Sequence, residues 1–342
     1  MSSLKILCLG PLWRGSNAGA LFKAFSRNGS LISVVDEFYH IPLKPENKLA
    51  KIIGKLSRKQ FVESYNQSIL NEFYLFKPDL VLVYKGAFVY PETVESMKVS
   101  SKVVCFYPDV SFHTHGGLLR KTLPLYETVF TTKTFGVDDM NEQLGQKNGV
   151  FIPHGFDPEI HREFDITPEI KNQFECDASF IGTWSSHKEK YLKHLVKSIP
   201  SINLKIWGGQ WNKSSGLDSY VMNTSVNGDL YAIAIQCSKI NVALLSEKVK
   251  GTVYGDRITS RTFQIPAVGG FMLHQDSNEI GKYFSIGNEI DTFKDPNEFV
   301  SKVEFYLSKQ EKRDEMRVAA QKKAKSHHSL DNRALEILKM IK

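Results

Sequence analysis

The sequence predicts an α/β protein with two doubly wound parallel sheets, one in each half of the chain. Short apolar segments alternate with helix-like segments, which is the pattern of parallel strands joined by helical crossovers. This alternation stops in a loop-like segment at residues 150–164 and then starts again. The length of 342 residues suits two domains of roughly 100–200 residues each.

The N-terminal half begins with an apolar strand-like segment, LKILCLG, and a helix-like segment that ends at Gly29. A second strand is predicted at residues 30–38, and a helix leads through Pro78 into a strand at Leu80–Tyr84. Two further apolar segments, KVVCFYPD and TVFTTKT, predict the remaining strands of this half. Because ligands bind at the carboxyl ends of parallel strands, the loops after these strands are the first candidates for a site.

Pro153 and Pro158 interrupt the alternation and predict the connection between the halves. The predicted domains are therefore residues 1–152 and residues 153–342. In the second half, strands are predicted in ASFIGTW, INLKIWGG, KINVALL and GGFMLHQ, with helices between them. Residues 296–327 are predicted to be strongly helical, because they lack interior Gly and Pro and carry many good helix formers.

The composition is that of a globular protein in a reducing compartment. Hydrophobic residues make up 42% of the chain and charged residues 24%. No apolar run approaches the roughly 18 residues that span a bilayer, and the short apolar N-terminus indicates a strand instead of a signal peptide. The four cysteines are far apart and predict free thiols in a cytoplasmic protein: Cys8, Cys105, Cys176 and Cys237.

The net charge of +7 favours an acidic partner. The excess is concentrated at residues 44–61, where six Lys and Arg accompany apolar residues on roughly one helical face. Such a helix can lie on an anionic membrane surface, which predicts a peripheral association with the inner face of the plasma membrane. A solvated helix with its apolar face in the core would show the same pattern. Nucleic acid is not an expected partner, because only the charge supports it.

Residues 256–273, DRITSRTFQIPAVGGFML, carry the most specific pattern in the chain. A helix that begins near Arg261 would offer free N–H groups and a positive dipole to a diphosphate. The arginine could add a bidentate contact, and Gln264 could reach ribose hydroxyls. The predicted contacts at this helix start are Thr259, Ser260, Arg261, Thr262 and Gln264. An ordinary helix–turn–strand unit would carry the same residues.

The string TSRTFQIPAVGGFML resembles the signature of the CgeB-like glycosyltransferases, which belong to the group-one, family-four-like transferases of GT-B fold. The resemblance implies two Rossmann-like domains facing a central cleft, with the final helix packing back on the N-terminal domain. It further implies that residues 1–152 bind an acceptor and residues 153–342 bind a nucleotide diphosphate-sugar. Transfer in this group generally needs no metal and no cofactor.

The resemblance assigns donor-phosphate contacts to the turn after the first strand of the second half. Gly182 ends this strand, Lys188 follows at the family's spacing, and Thr183 stands where the family often has arginine. Asp256 and Gln264 occupy the two positions where retaining members carry glutamate. These departures leave open whether the anomeric configuration is retained and whether the protein is active.

Asp109 and His113 are the candidates for acid–base chemistry in the N-terminal half. They follow an apolar strand in FYPDVSFHTHGG, and either residue type can deprotonate an acceptor hydroxyl. Solvated loop residues are the alternative. The His113–His115 pair also raises the question of zinc, but no third ligand is evident and no metal is expected.

Two more turns have the composition of ligand loops. Gly15 and Ser16 precede the first predicted helix, and in GT-B enzymes this loop lies over the donor phosphates or beside the acceptor. Trp207 and Gly208 end a strand where, by resemblance, the nucleotide base docks. Plain strand–helix turns explain these residues equally well.

Together these observations predict a hexosyltransferase-type glycosyltransferase that uses a nucleotide diphosphate-sugar. The acceptor is expected to be a glycan or a lipid-linked hydroxyl in bacterial surface glycan or glycolipid assembly. A nucleotide-sugar epimerase or hydrolase of the same fold is the alternative enzyme. An inactive paralogue that binds sugar nucleotide or glycan as a scaffold is the alternative outside enzymes.

Overall fold

A computed structural model describes residues 3–42, 57–249 and 251–341. The chain divides into two compact units. Unit 1 comprises residues 1–153, 248–254 and 333–342, and unit 2 comprises residues 154–247 and 255–332. Each unit contains one parallel sheet with helices, so the predicted fold class is confirmed.

The sheet of unit 1 has six strands in the order β2-β1-β3-β4-β5-β6, and every neighbouring pair is parallel. Its strands are β1 (Lys5–Gly10), β2 (Leu31–Asp36), β3 (Leu80–Tyr84), β4 (Lys102–Tyr107), β5 (Thr128–Thr131) and β6 (Gly149–Phe151). The helices of this part of the chain are α1 (Asn17–Arg27), α2 (Glu37–His40), α3 (Arg58–Phe76), α4 (Pro91–Lys98), α5 (Gly117–Thr122) and α6 (Thr134–Leu144).

The sheet of unit 2 has five parallel strands in the order β11-β10-β9-β7-β8. Its strands are β7 (Cys176–Ile181), β8 (Leu204–Trp207), β9 (Ser238–Ala243), β10 (Met272–Gln275) and β11 (Asp291–Phe293). The helices of the second half are α7 (Pro168–Phe174), α8 (Ser186–Ser198), α9 (Asp229–Gln236), α10 (Ser260–Val268), α11 (Pro296–Leu307), α12 (Gln310–His327) and α13 (Leu330–Ile341).

In each unit, apolar residues of the strands pack against apolar residues of the neighbouring helices. In unit 1, buried residues of β1, β3 and β4 pack with those of α3 and α4. In unit 2, β7, β8, β9 and β10 share a core with α8 and α11. All four cysteines are free thiols, and Cys8, Cys105 and Cys176 are buried. Burial of continuous apolar strands on both faces is the normal condition of a parallel sheet.

Local signals explain where the helices beside the sheets begin. Ser16 caps α1 by accepting a hydrogen bond from the Gly19 backbone N–H, and Asp36 caps α2 by accepting from Phe38. This cap ends β2 at Asp36, so the strand predicted at residues 30–38 begins one residue too early and ends two residues too late. The long helical segment predicted at residues 296–327 is two helices, because the chain leaves helical geometry at Lys309.

The end of the chain and the basic segment complete the fold. Residues 333–342 group with unit 1, where the Lys102 ammonium donates a hydrogen bond of 2.7 Å to the Ile341 carbonyl oxygen. Of the basic segment 44–61, residues 44–56 lie outside the described residues, and its last part begins α3. Within the described part, no helix is long and apolar enough to cross a membrane.

Candidate active site

Two glycine turns meet at the carboxyl ends of β7 and β8 in unit 2. The Gly182 N–H donates to the Trp207 carbonyl at 2.8 Å, and the Trp211 indole N–H donates to the Gly182 carbonyl at 2.9 Å. Gly208 has a positive φ of 134°, and a Cβ built on it would lie 2.2 Å from the Gly182 oxygen. Only glycine fits at Gly208, because the two backbones approach too closely for a side chain.

Lys188 turns back from the first turn of α8 toward the Gly182 turn. Its ammonium donates to the Thr183 carbonyl oxygen at 3.1 Å and to the Ser246 hydroxyl at 3.4 Å, and the residue is 5% exposed. Burial, followed by the charge of Arg261, lowers the pKa of Lys188 to about 8, although nearby acidic residues oppose the shift. The structure therefore holds a nearly buried cation beside the turn that the sequence assigned to donor phosphates.

Arg261 lies in the first turn of α10, and its guanidinium joins two strand ends. It donates to the Ile181 carbonyl at 3.3 Å and to the Leu244 carbonyl at 2.8 Å. Burial lowers its pKa. The sequence predicted a bidentate contact between this guanidinium and a diphosphate, and in the structure two of its nitrogens bond backbone carbonyls. Among the described residues, its Nε–H group has no hydrogen-bond partner.

The other predicted contact residues at the start of α10 differ in their burial and in their hydrogen bonds within the protein. The Thr262 hydroxyl bonds the Thr259 N–H and His274 Nε2, each at 3.0 Å, and Thr262 is fully buried. Thr259 and Gln264 are both buried at 7% exposure, whereas Ser260 is half-buried. These contacts fix the helix start, so the hydroxyl of Thr262 is used for structure and is not available to a ligand.

Asp256 is linked to Lys188 and Arg261 by a backbone hydrogen bond to Ser246 and by its negative charge. Its N–H donates to the Ser246 carbonyl at 2.9 Å, and Ser246 in turn contacts the Lys188 ammonium. Burial lowers the pKa of both Lys188 and Arg261, and the charge of Asp256 opposes that lowering in each. The structure thus brings Lys188 together with Asp256 and Arg261, which the sequence selected from two separate segments.

A cavity of about 610 Å³ opens beside these glycine turns. It is lined by residues 181–183, 208–212, 221–227 and Tyr231. Trp207 is 2% exposed and stacks on Phe174 in the core, so the cavity is lined by the backbone that follows it instead of by its indole. The lining therefore offers backbone groups and short polar side chains, which suit the edge of a nucleotide base.

Tyr231 is a cavity residue that the sequence did not suggest. Its hydroxyl is buried and has no hydrogen-bond partner among the described residues. The ring packs edge-to-face on His161. Burial raises the pKa of the Tyr231 hydroxyl, and the positive charge of Arg261 partly opposes that rise. A lone tyrosine within a helix gives no sequence signal, because its position at the cavity depends on how α9 packs on β7.

In unit 1, Ser16 is used as a helix cap. Its hydroxyl donates to the Pro11 carbonyl at 2.8 Å and accepts from the Gly19 N–H at 2.9 Å, and it is 4% exposed. Gly15 precedes it with a positive φ of 91°. The sequence predicted a ligand loop here, whereas the structure gives the hydroxyl two protein partners and the glycine a turn conformation.

Asp109 lies in the loop that follows β4, between the side chains of Lys85 and His115. Its Oδ2 atom lies 2.7 Å from the Lys85 ammonium and 2.9 Å from His115 Nε2. Burial alone would raise the pKa of Asp109, but the hydrogen bond from His115 and the charge of Lys85 lower it well below its usual value. The carboxylate is therefore a weak base and a strong hydrogen-bond acceptor.

His113, which the sequence predicted to be catalytic together with Asp109 and Asp256, does not contact Asp109. Its Nε2 lies 2.6 Å from the Gln143 amide oxygen, while the Gln143 amide nitrogen donates to the Gly251 carbonyl at 2.9 Å. The imidazole also packs against Gly251, where a built Cβ would lie 2.4 Å from its Cδ2 atom. His113 therefore holds the segment 248–254 on unit 1. Within the described ranges, no group of three His, Cys, Asp or Glu could hold a metal ion.

Two further residues at this sheet edge were missed from the sequence. Lys85 has a left-handed φ of 68°, and Gly86 follows with 75°, so β3 ends in an unusual turn that delivers the ammonium to Asp109. Glu37 begins α2 after β2, and burial raises its pKa to about 7, against the lowering effect of Lys85. Because β2, β1, β3 and β4 are neighbours, their carboxyl ends bring these residues to one edge.

The sequence of residues 187–339 matches a family that is described as glycosyl transferase-like. No curated protein matches the chain significantly. The matched region includes Lys188, Asp256 and Arg261, so three of the clustered residues belong to it.

Solved structures resemble the whole chain. Sucrose-phosphate synthase from Thermosynechococcus elongatus aligns with a TM-score of 0.66 and 11% identity, over 99% of this chain and 98% of that one. A glycosyltransferase from Rickettsia africae aligns with a TM-score of 0.65 and 10% identity, over 99% and 98%. HepE from Anabaena, solved in complex with UDP, gives a TM-score of 0.61 and 12% identity, over 99% of both chains. The protein therefore has the GT-B fold, and its residues 187–339 match the glycosyl transferase-like family.

Proposed function

We propose that the protein is a glycosyltransferase that moves a hexosyl group from a nucleoside diphosphate-sugar to an acceptor hydroxyl. The observation that carries this proposal is the buried ammonium of Lys188 beside the Gly182–Thr183 turn. Burying a cation is costly unless a counter-charge compensates it fully. The described hydrogen-bond partners of Lys188 are a neutral carbonyl and a hydroxyl, and the charges of Asp256 and Glu247 only partly offset the lowering of its pKa by burial. A diphosphate in the adjoining cavity would supply that counter-charge.

The donor would bind entirely within unit 2. The cavity at residues 208–212 and 221–227 would hold the nucleoside, and the Gly182–Thr183 turn would let the diphosphate approach the backbone. The Nε–H group of Arg261 and the hydroxyl of Tyr231 lie nearby, and neither has a hydrogen-bond partner within the described ranges. A diphosphate oxygen would satisfy either donor.

Lys188 would also promote the departure of the diphosphate. Negative charge grows on the leaving oxygen as the bond to the sugar breaks, and a fixed cation in a desolvated site stabilises that charge strongly. We propose that Lys188 and Arg261 fulfil the role that a divalent cation plays in other transferases. Activity should then be unchanged in excess EDTA, and its loss would refute metal independence.

The acceptor would bind in unit 1 at the edge that carries Asp109. We propose a glycan or lipid-linked hydroxyl as the acceptor, in the assembly of bacterial surface glycan or glycolipid. The basic residues 44–61 would place the enzyme at an anionic membrane surface. Vesicles containing anionic lipid should bind the wild type, and replacing Lys51, Lys55 and Lys59 with glutamine should release it. Absence of wild-type binding would reject the membrane role.

A panel of UDP-glucose, GDP-mannose and dTDP-glucose tests the proposed function. One of them should be consumed, and release of its nucleoside diphosphate should accelerate when glycan and lipid-linked acceptors are added. Consumption that no acceptor accelerates would favour the hydrolase or epimerase alternative. Binding without consumption would favour the scaffold, and neither binding nor consumption would overturn the donor site itself.

A further inference from the structure

The strands of unit 1 begin at a sheet edge that carries a cluster of exposed apolar side chains. Among the described residues, seven large apolar side chains are more than half exposed, and five of these seven belong to this edge. The five are Leu31, Tyr74, Leu75, Val99 and Met340. Single exposed apolar side chains are ordinary, whereas a concentration of them on one surface marks an interaction site.

Backbone hydrogen bonds join the chain segments at this edge. The N–H groups of Leu31, Asp79 and Lys102 donate to the carbonyl oxygens of Leu4, Lys5 and Asp79, at 2.9 Å, 2.9 Å and 3.3 Å. These bonds connect the starts of β2, β1, β3 and β4, which are neighbours in the sheet. Because neighbouring strands lie about 4.8 Å apart, the four strand starts span roughly 15 Å.

Three helices end at the same edge and supply most of the cluster. Leu75 lies in the last turn of α3, and Val99 directly follows α4. Met340 lies in the last turn of α13, where the neighbouring Ile341 carbonyl accepts the hydrogen bond from the Lys102 ammonium at the start of β4. Leu75 and Val99 are 80% and 86% exposed, so these side chains project from the surface.

The charge around the apolar cluster is positive. Three exposed lysines adjoin it and form no ion pair with a described residue: Lys77, Lys98 and Lys339. Of the described residues directly before the strands of this edge, Asp79 and Glu127 are acidic, and both have partners. The Asp79 carboxylate accepts from the Lys5 N–H at 2.8 Å, and the Glu127 carboxylate lies 3.9 Å from the Lys102 ammonium. Such a face attracts an anionic surface and repels a second copy of itself.

We propose that this edge of unit 1 docks on an anionic lipid bilayer. Tyr74, Leu75 and Val99 enter the interfacial region of the bilayer, and the three lysines lie against lipid phosphates. Tyrosine and lysine suit this region, because each has an apolar body and a polar end. Side chains that project from separate helix ends can insert between lipid headgroups, whereas the core of a protein interface is a closely packed patch.

This surface is separate from the basic segment 44–61, for which we proposed a membrane contact above. That segment includes the start of α3, whereas Leu75 lies at its end, and the 19 residues of the helix span about 28 Å. The segment supplies charge, and the edge supplies apolar side chains as well. Stable anchoring to a membrane generally takes two signals, so loss of either one should weaken it.

Sedimentation with vesicles of phosphatidylcholine and phosphatidylglycerol tests the docking. Leu75→Ser combined with Val99→Ser should weaken binding at least about 10-fold, because two inserted side chains are lost. Val318→Ser changes an exposed apolar residue of α12 and should bind as the wild type does. All three side chains are exposed, so the variants should fold, and equal midpoints of urea unfolding check this.

Hydrogen exchange of the full chain locates the contact. The vesicles should slow amide exchange at residues 74–77 and 98–101 of the wild type. Undiminished binding by the double serine variant, slowed exchange only outside these two ranges, or no binding by the wild type would overturn the inference. The last outcome would favour an acidic protein as the partner of this edge. Neither measurement uses a donor or an acceptor, so failure of the proposed glycosyl transfer is detected separately by the panel above.

Discussion

The Lys188 ammonium donates a hydrogen bond of 3.1 Å to the carbonyl oxygen of Thr183, which comes directly after Gly182 at the end of β7 (Cys176–Ile181). This bond links the Gly182–Thr183 turn to Lys188, a residue in the first turn of α8. The Ser185 hydroxyl caps the same helix by accepting a hydrogen bond from the Lys188 backbone N–H, so both the backbone and the side chain of Lys188 are tied to this turn. A ligand at the Gly182 turn therefore meets a preorganised positive charge, which reduces the cost of binding it.

The lowered pKa of Lys188 predicts that binding of a nucleoside diphosphate takes up protons. With a pKa of about 8, the ammonium is about half deprotonated at pH 8, and an adjacent diphosphate raises that pKa. Affinity should therefore fall as the pH rises from 8 to 10. Calorimetry with UDP at pH 8 in HEPES and in Tris should give different heats, and Lys188→Arg should remove the difference. Equal heats for the wild type would contradict the prediction.

Arg261 is predicted to contribute to stability as well as to binding. Arg261→Met leaves the carbonyls of Ile181 and Leu244 without their partner and should cost about 2–4 kcal/mol in the free energy of unfolding. Arg261→Lys keeps the charge and should cost less. Urea denaturation measures both. Wild-type stability of Arg261→Met would show that the two strand-end bonds do not contribute.

The contact of Gly251 with His113 predicts a large effect of adding one methyl group. Gly251→Ala combines a positive φ of 84° with a clash against the imidazole, whereas Gly116→Ala has a similar φ of 86° and open space. We expect Gly116→Ala to cost about 1 kcal/mol and Gly251→Ala at least about 1 kcal/mol more. Equal losses in thermal or urea unfolding would mean that segment 248–254 is not held by His113.

Acid should destabilise unit 2 through His274. Burial lowers its pKa to about 4, whereas an unfolded histidine titrates near 6.5. Between these values the unfolded state binds more protons, so the free energy of unfolding falls as the pH falls. His274→Gln should lose less stability than the wild type between pH 7 and pH 5, by about 1–2 kcal/mol. His327→Gln, on an exposed part of α12, should behave as the wild type.

The sequence predicted the parallel α/β architecture because apolar strands such as Leu80–Tyr84 are short, continuous and separated by helices. It also placed Lys188, Asp256 and Arg261 in one donor site, the first two through the resemblance to the glycosyltransferases, and the structure brings the three close together. It did not predict that the Arg261 guanidinium bonds two backbone carbonyls. That arrangement depends on the distance between the ends of β7 and β9, which no local pattern encodes.

The site in unit 1 shows a second limit of sequence reasoning. His113 and His115 are two residues apart and equally plausible from sequence, yet one contacts Gln143 and the other Asp109. The short 3₁₀ turn at Phe112–His115 directs them differently. Lys85 gave no signal either, because a left-handed lysine after a buried strand is not expected from local preferences.

The most direct test of the central claim is calorimetric titration of UDP, GDP and dTDP into the wild type, Lys188→Met and Lys190→Met. Lys190 lies two residues further along α8 and is exposed, so it controls for the loss of one positive charge. We predict that one nucleotide binds the wild type and Lys190→Met equally, and binds Lys188→Met at least about 10-fold more weakly. Equal binding by Lys188→Met, or no binding by the wild type, would contradict a diphosphate site at this turn.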